Sequence, residues 1–381
     1  MRRRRLDPRP DWQGRLEALG MPYHTHDDGA PYWREDACYV FRMAEIERIE
    51  AAVAELQALC LKAVEHVLDR GRFQEYGIPP AFVPVIRESW ERDEVGLYGR
   101  FDLAYDGQGP PRLLEYNADT PTALVESAVV QWYWLQERFP HKDQFNSLHE
   151  RLVEAWKRAR GFLPVGTVYF LHQDTPEDQQ TVAYLRDTAD QAGLATAQML
   201  VEDLGWDGAQ GAFVDLDGRP VRAAFKLYPW EFMVKDSFGE HLARQPRPCA
   251  FLEPAWKMLL SNKALLAILW DLFPDCPYLL PAHLDGPRNL DPYVKKPILG
   301  REGANVEIHS GGQVTAAVPL ACYGAEGSVY QAMAEIPEFD GFRPVLGAWV
   351  VDGEPAGMGI REARGPITND GSAFVPHLIE D

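Results

Sequence analysis

The sequence predicts a mixed α+β and α/β protein in several subdomains, and three observations carry that prediction. Two stretches, 99–122 and 342–360, each hold paired apolar runs around a dense turn signal, which is the pattern of a β-hairpin. Between them, from 166 to 228, short apolar strands alternate with a helical run, the spacing of a small open α/β layer. In 42–70, Met43, Ile46, Ile49, Val53, Leu56, Leu59, Val64 and Val67 recur at spacings close to three or four, the period of a helix that ends near Gly71.

Taken in order, residues 1–37 are charged, aromatic and dotted with proline, so they read as irregular and frayed at the start. The basic opening MRRRRLDPRPDW lacks the apolar segment of a signal peptide. The 42–70 helix is scaffold. A second helix around 80–94 leads into the first hairpin, and 123–160 reads as helical with a break near Phe139-Pro140. The strand at 166–172 is followed by a polar loop, a helical run over 177–192, and short strands at 199–202, 211–216 and 223–228. An apolar helical segment spans 251–273 and restarts at Ser261-Asn262. Strands follow at 293–297, from Val306, at 313–320 and at 330–336, with a loop at 299–305; the second hairpin turns at Asp352-Gly353.

At 381 residues and 46% hydrophobic, the chain is long enough to bury a large core. Its net charge of −19 argues against nucleic acid or an anionic membrane surface as partner. No run approaches the roughly 18 apolar residues of a membrane helix. Cys38, Cys60, Cys249, Cys276 and Cys322 are far apart with no CxxC pair, so they read as reduced thiols of a cytoplasmic protein, not as a disulfide frame or zinc site.

Alternation along the first hairpin places Arg100 and Asp102 on one face of its first strand and Glu115 and Asn117 on one face of its second. If the turn registers Asp102 opposite 115–117, two carboxylates, an amide and a guanidinium converge, a set that suits Mg²⁺ and phosphate. The plainer reading is a solvated face of weak ion pairs. A glycosidase-like pair of carboxylates leaves Arg100 and Asn117 unexplained. In the loop after 297, Gly300 and Gly303 let backbone amides approach phosphate and Arg301 adds charge, although an ordinary turn has the same composition. Neither the P-loop spacing nor GxGxxG is present. Lys263 stands near a helix start, where a lysine is usually solvated. Lys295 and Lys296 fall on opposite faces of a strand, so at most one faces a site. Arg361 ends a strand downstream. His172, Asp174, Glu177 and Asp178 follow a strand end where α/β layers bind ligands; the alternative is a loop and helix cap at Asp174 or Thr175. No GxSxG elbow or HExxH occurs.

In chain order, RFDL, LEYNADTPT, DQFNSLHERLVEAW, KLYPWEF, EPAWKMLLSNKALLAILWDLFP, YVKKPILGREGANV and VLGAWVVDGEPAGMGIRE resemble the synthetase domain of glutathionylspermidine synthase and its stand-alone relatives. The similarity runs from about residue 15 to the C-terminus. It implies an ATP-grasp fold with an inserted small, preATP-grasp-like α/β layer. The implied parts are a helical segment with the metal-binding hairpin over 1–160, a substrate-side α/β domain over 161–250, and a nucleotide lobe over 251–381 whose sheet shares 95–125. The implied activity is a carboxylate–amine ligase in which ATP phosphorylates an acid, an amine attacks the acyl phosphate, and ADP and phosphate leave.

By the same resemblance, Asp102, Glu115 and Asn117 would hold Mg²⁺, two ions being expected, and Arg100 the transferring phosphoryl group. Lys263 and Lys296 would contact ATP, and the loop from Gly300 through Arg301 and Gly303 to Asn305 would close over its phosphates. Gln331, Ala332, Met333 and Ala334 would read adenine, with Arg361 nearby. Thr120, Thr122, Glu177, Asp178 and Glu231 are the substrate-side candidates. The partners implied are a glutathione- or peptide-like acid and a polyamine-like amine, with no nucleic acid or membrane; an oligomer is compatible. The amidase region of the bifunctional relatives has no counterpart, so hydrolysis of the product amide is not expected. After LEYNAD this chain has Thr120-Pro-Thr-Ala-Leu124 where those relatives have small polar residues and a cysteine, and QDTPEDQQ lacks some acids neighbouring Glu177 and Asp178. The competing expectation is a catalytically silent ATP-binding protein with a regulatory or partner-binding role. Against it, Arg100, Asp102, Glu115 and Asn117 are all present together.

Overall fold

The long helix forms as Met43–Arg70 and buries Ile46, Ile49, Val53, Leu56, Val64 and Val67. Gly71 ends it at φ +69°, a left-handed conformation that costs glycine little. The computed structural model describes residues 1–244, 246–319, 323–369 and 371–380. Cys322 lies outside them, and Cys38, Cys60, Cys249 and Cys276 are free thiols.

Both predicted hairpins form, and they join edge to edge. A five-stranded antiparallel sheet has the order Ala373–Phe374, Glu354–Ala363, Arg343–Val351, Tyr98–Ala104, Arg112–Asn117. Phe101, Leu103, Tyr116, Leu346, Ala348 and Ile360 share one core with the long helix. Strand alternation therefore turns Arg100, Asp102, Glu115 and Asn117 to the other face.

The small layer is parallel, ordered Ala250–Leu252, Ala223–Lys226, Thr167–His172, Ala195–Leu200. Helices Leu148–Ala159 and Pro176–Gln191 supply Leu152, Trp156, Val182 and Leu185 to a second core with Val168, Phe170 and Phe225. A third sheet, antiparallel, runs Ala282–His283, Ser328–Ala332, Tyr293–Pro297, Glu307–Ser310, Gln313–Ala317. Among the described residues, no helix is long and apolar enough to cross a membrane.

Three expectations need correction. The N-terminal segment is not frayed: Arg2–Arg5 pairs with Ala37–Phe41, which pairs with His377–Ile379, and Trp12–Ala18 is helical. Carboxylates far along the chain receive this basic strand: Arg3 meets Glu362 at 2.8 Å, Arg5 Asp340 at 3.0 Å and Arg2 Glu380 at 2.7 Å. The 251–273 segment begins as the strand Ala250–Leu252, and its α-helix is only Ala264–Leu272. Short apolar runs fit a buried strand as well as a buried helix. The strand placed at 330–336 is Ser328–Ala332, so Met333 and Ala334 lie beyond its end.

Candidate active site

Antiparallel pairing sets Asp102 directly opposite Glu115 and Arg100 opposite Asn117, with a register shift just after Asp102. Arg100 forks onto Asp102, Nε donating to Oδ1 at 2.7 Å and Nη2 to Oδ2 at 3.1 Å. Its Nη1 donates to the Thr122 carbonyl. Asn117 Nδ2 donates to Glu115 Oε1 at 3.1 Å and reaches Asp102 Oδ2 at 3.5 Å.

Two lysines arrive from distant segments. Lys263 Nζ stands 3.0 Å from Glu115 Oε2 and donates to the Gly300 carbonyl at 2.7 Å. It is buried, not solvated, because Asn262 fixes the helix start. The Asn262 amide accepts from Ala264 N and donates to the Tyr76 carbonyl, both at 2.9 Å. Lys296 is the inward member of its pair, donating to Gln331 Oε1 at 2.7 Å and the Leu114 carbonyl at 2.9 Å; Lys295 pairs outward with Glu307. Burial pushes the Glu115 carboxyl up, but Lys263 and Lys296 outweigh it and hold it at about 2. Burial draws Lys296 down to about 8 against the pull of Glu115. Burial also raises Asp102, which Arg100 offsets only in part.

Beside Arg100 and Asp102 a cavity of about 30 Å³ is walled by Gly347, Gly359 and Arg361. Arg361 Nη2 donates to the Asn369 carbonyl at 2.7 Å. In the 300 loop, Arg301 donates to the Thr120 hydroxyl at 2.9 Å. Gly303 has φ +71°, and a Cβ there would lie 2.7 Å from the Thr368 carbonyl oxygen, so the loop needs glycine. The Ala332 and Met333 N–H groups donate to the carbonyls of Pro281 (2.7 Å) and Pro292 (3.2 Å), so those two donors are engaged within the protein.

Among the residues expected to meet substrate, Asp178 donates its backbone N–H to the Thr175 hydroxyl at 3.2 Å, so this segment contains the helix cap that the spacing allowed. Glu177 lies exposed on the first turn. Burial raises the carboxyls of Asp178 and Glu231, and the charge of Arg301 acts on both to lower them. Two interactions escaped the sequence reading. Asp119 is buried and receives Lys226 Nζ and Trp230 N, the latter at 2.8 Å. Gln331 acts through its side chain, bridging Lys296 to the Leu113 carbonyl at 2.9 Å. A lysine inside the apolar run AAFKLY was the signal for the first.

Among the described residues, no group of three or more His, Cys, Asp or Glu side chains is placed to hold a metal. The hairpin instead offers two facing carboxylates and an amide in contact with Glu115. That hard-oxygen set fits Mg²⁺, which takes one or two protein carboxylates and completes its shell with phosphates and water.

The chain matches the family described as glutathionylspermidine synthase preATP-grasp over residues 3–380. It is 42% identical over 389 residues to the "Putative acid--amine ligase" of Haemophilus influenzae, with 97% of each chain covered. It is 29% identical to trypanothione synthetase of Crithidia fasciculata, over 86% of this chain and 54% of that one. Identity to the bifunctional glutathionylspermidine synthetase/amidase of Escherichia coli is 28%, over 88% and 58%. The chain thus spans a little over half the length of these last two. A solved glutathione synthetase-like effector from Globodera pallida shares the fold at a TM-score of 0.55 and 11% identity, covering 90% of this chain and 89% of that one. Fold and matches define the class, an ATP-dependent acid–amine ligase on an ATP-grasp-type scaffold. The chain belongs to the glutathionylspermidine synthase preATP-grasp family.

Proposed function

We propose that this ligase joins a glutathione- or peptide-like carboxylate to a polyamine-like amine through an acyl phosphate. The observation that carries the reading is the convergence of Lys263 and Lys296 on Glu115, beside the Arg100–Asp102 fork. Preorganised cations and a guanidinium of this kind stabilise charge developing on phosphoryl oxygens. In this reading Asp102, Glu115 and Asn117 hold Mg²⁺, which neutralises that charge when bound. Arg100 orients the transferring phosphoryl group. Lys263 and Lys296 bind the ATP phosphates, Arg301 and the glycines of its loop exclude water over them, and 331–334 with Arg361 border the nucleotide. The acid would lie against Thr120 and Thr122. The carboxylates of Glu231, Asp178 and Glu177 supply the negative charge that a polyamine-like cation needs, and 161–250 serves as the substrate-side domain beside the 251–381 lobe.

The test incubates purified protein with Mg-ATP and paired panels of thiols, peptides and amines, reading ADP release and a new amide mass. One or more pairs should stimulate ADP release, and Asp102→Ala should abolish it. If no pair does so and Asp102→Ala changes nothing, the reading fails.

A further inference from the structure

The parallel sheet has a second end. Lys226 and the residue after Leu252 mark the strand ends nearest Asp119 and the catalytic hairpin. Arg222 and Cys249 immediately precede two of the same strands, so they lie at the opposite, N-terminal edge. That edge opens on a cavity of about 630 Å³, within the size range of small-molecule sites.

Its apolar wall includes Leu163, Phe251 and Phe162, the last 65% exposed at the lip. Its charged lining is three arginines, Arg92, Arg222 and Arg247, against one carboxylate, Glu94. Arg247 pairs with Glu94, and Arg92 with Glu88. Arg222 is exposed and makes no ion pair among the described residues. A net-positive recess is out of character for a chain of net charge −19. A second cavity of about 380 Å³ shares Glu94, Val95 and Phe162 with the first and runs on to Leu61, Tyr98 and Trp256. The second cavity also carries Asp93, Asp352, Arg158 and Lys257, so the net-positive and apolar part of the groove is the first cavity, around Arg222, Phe162, Leu163 and Phe251.

We propose that this groove binds a small amphiphile, with a single carboxylate or phosphate head on the Arg222 guanidinium and an apolar body along Phe162, Leu163 and Phe251. An unpaired arginine presents a planar fork that matches either anion, and the aromatic walls supply the contact area that holds the body. The site is separate from the ligase centre and does not depend on its substrates.

The test titrates the full chain with anilinonaphthalene sulfonate, an apolar anion, and displaces it with decanoate, decyl phosphate or decyltrimethylammonium. Saturable binding is expected, with displacement by one or both anions at concentrations about tenfold below the cation's. The stronger anion identifies the head group. Arg222→Glu and Phe162→Ser should each weaken binding about tenfold or more, while Arg222→Lys keeps part of it. Both residues are exposed, and unchanged circular dichroism confirms that each variant folds. Equal displacement by the cation would mark a plain apolar or protein-docking surface and overturn the proposal. Absence of saturable binding, or full affinity in folded Arg222→Glu, would overturn it as well.

Discussion

Lys226→Met tests the buried ion pair between Lys226 and Asp119. The Lys226 side chain is 0% exposed and that of Asp119 4%, so solvent does not screen them. Lys226 Nζ donates to Asp119 Oδ1 and lies 5.0 Å from the centre of the Trp230 ring. Methionine keeps the length and removes the charge, leaving the Asp119 carboxylate buried with Trp230 N as its remaining hydrogen-bond donor among the described residues. Removing one partner of such a pair costs about 3–5 kcal/mol, a large share of the 5–15 kcal/mol stability typical of a folded domain. Denaturant titration of wild type, Lys226→Met, Asp119→Asn and the double variant measures the pair directly. The double variant should be more stable than the sum of the single losses by about 2 kcal/mol, because neutralising Asp119 removes the stranded charge. Additive losses, or a Lys226→Met variant within about 1 kcal/mol of wild type, would refute the argument. Turnover should fall with stability, since Asp119 precedes Thr120, the residue that Arg301 contacts.

Other outcomes follow from the same geometry. Glu115→Gln should lower kcat about 100-fold or more while the ATP dissociation constant moves only about threefold, because in the proposed role Glu115 holds a metal whose main effect is on the phosphoryl transition state; equal losses in both would count against that role. Gly347→Ala should lower kcat by roughly 10²-fold with little loss of thermal stability, because misplacing a positioning group by an ångström has that scale of effect. The new Cβ would lie 2.8 Å from Arg100 Cδ and push the guanidinium off Asp102; unchanged kcat would show the fork to be dispensable. His377 is buried, its Nδ1 on Gln131 Oε1 at 2.9 Å and its Nε2 accepting from Phe145 N at 3.2 Å, and burial pulls its pKa down to about 3. The unfolded chain therefore binds the extra proton first: this stability is complete above pH about 6.5 and lost as pH falls toward 3, about 2 kcal/mol of it by pH 5. In His377→Gln that part of the acid sensitivity should vanish, and an unchanged slope in denaturant titrations at pH 7.5 and 5 would contradict the assignment.

Local pattern carried the elements with a strong period or a strong turn. The 42–70 helix and both hairpins were legible because period, turn residues and apolar runs all agree there. It failed where the information is not local. The four N-terminal arginines become a strand only because Glu362, Asp340 and Glu380 come to meet them. The strand Ala250–Leu252 exists only because Ala223–Lys226 offers it a parallel edge.

From the sequence alone it follows that Arg100 and Asp102 share one face of their strand and Glu115 and Asn117 one face of theirs, since alternation follows from covalent geometry. The resemblance of its motifs pointed to the family before any contact was known. Only the tertiary structure decided that Asp102 stands opposite Glu115, that Lys263 and not bulk water neutralises that carboxylate, and that Lys296, not Lys295, turns inward. Strand register and the docking of distant lysines depend on packing between segments up to some 180 residues apart, and no local pattern records that packing.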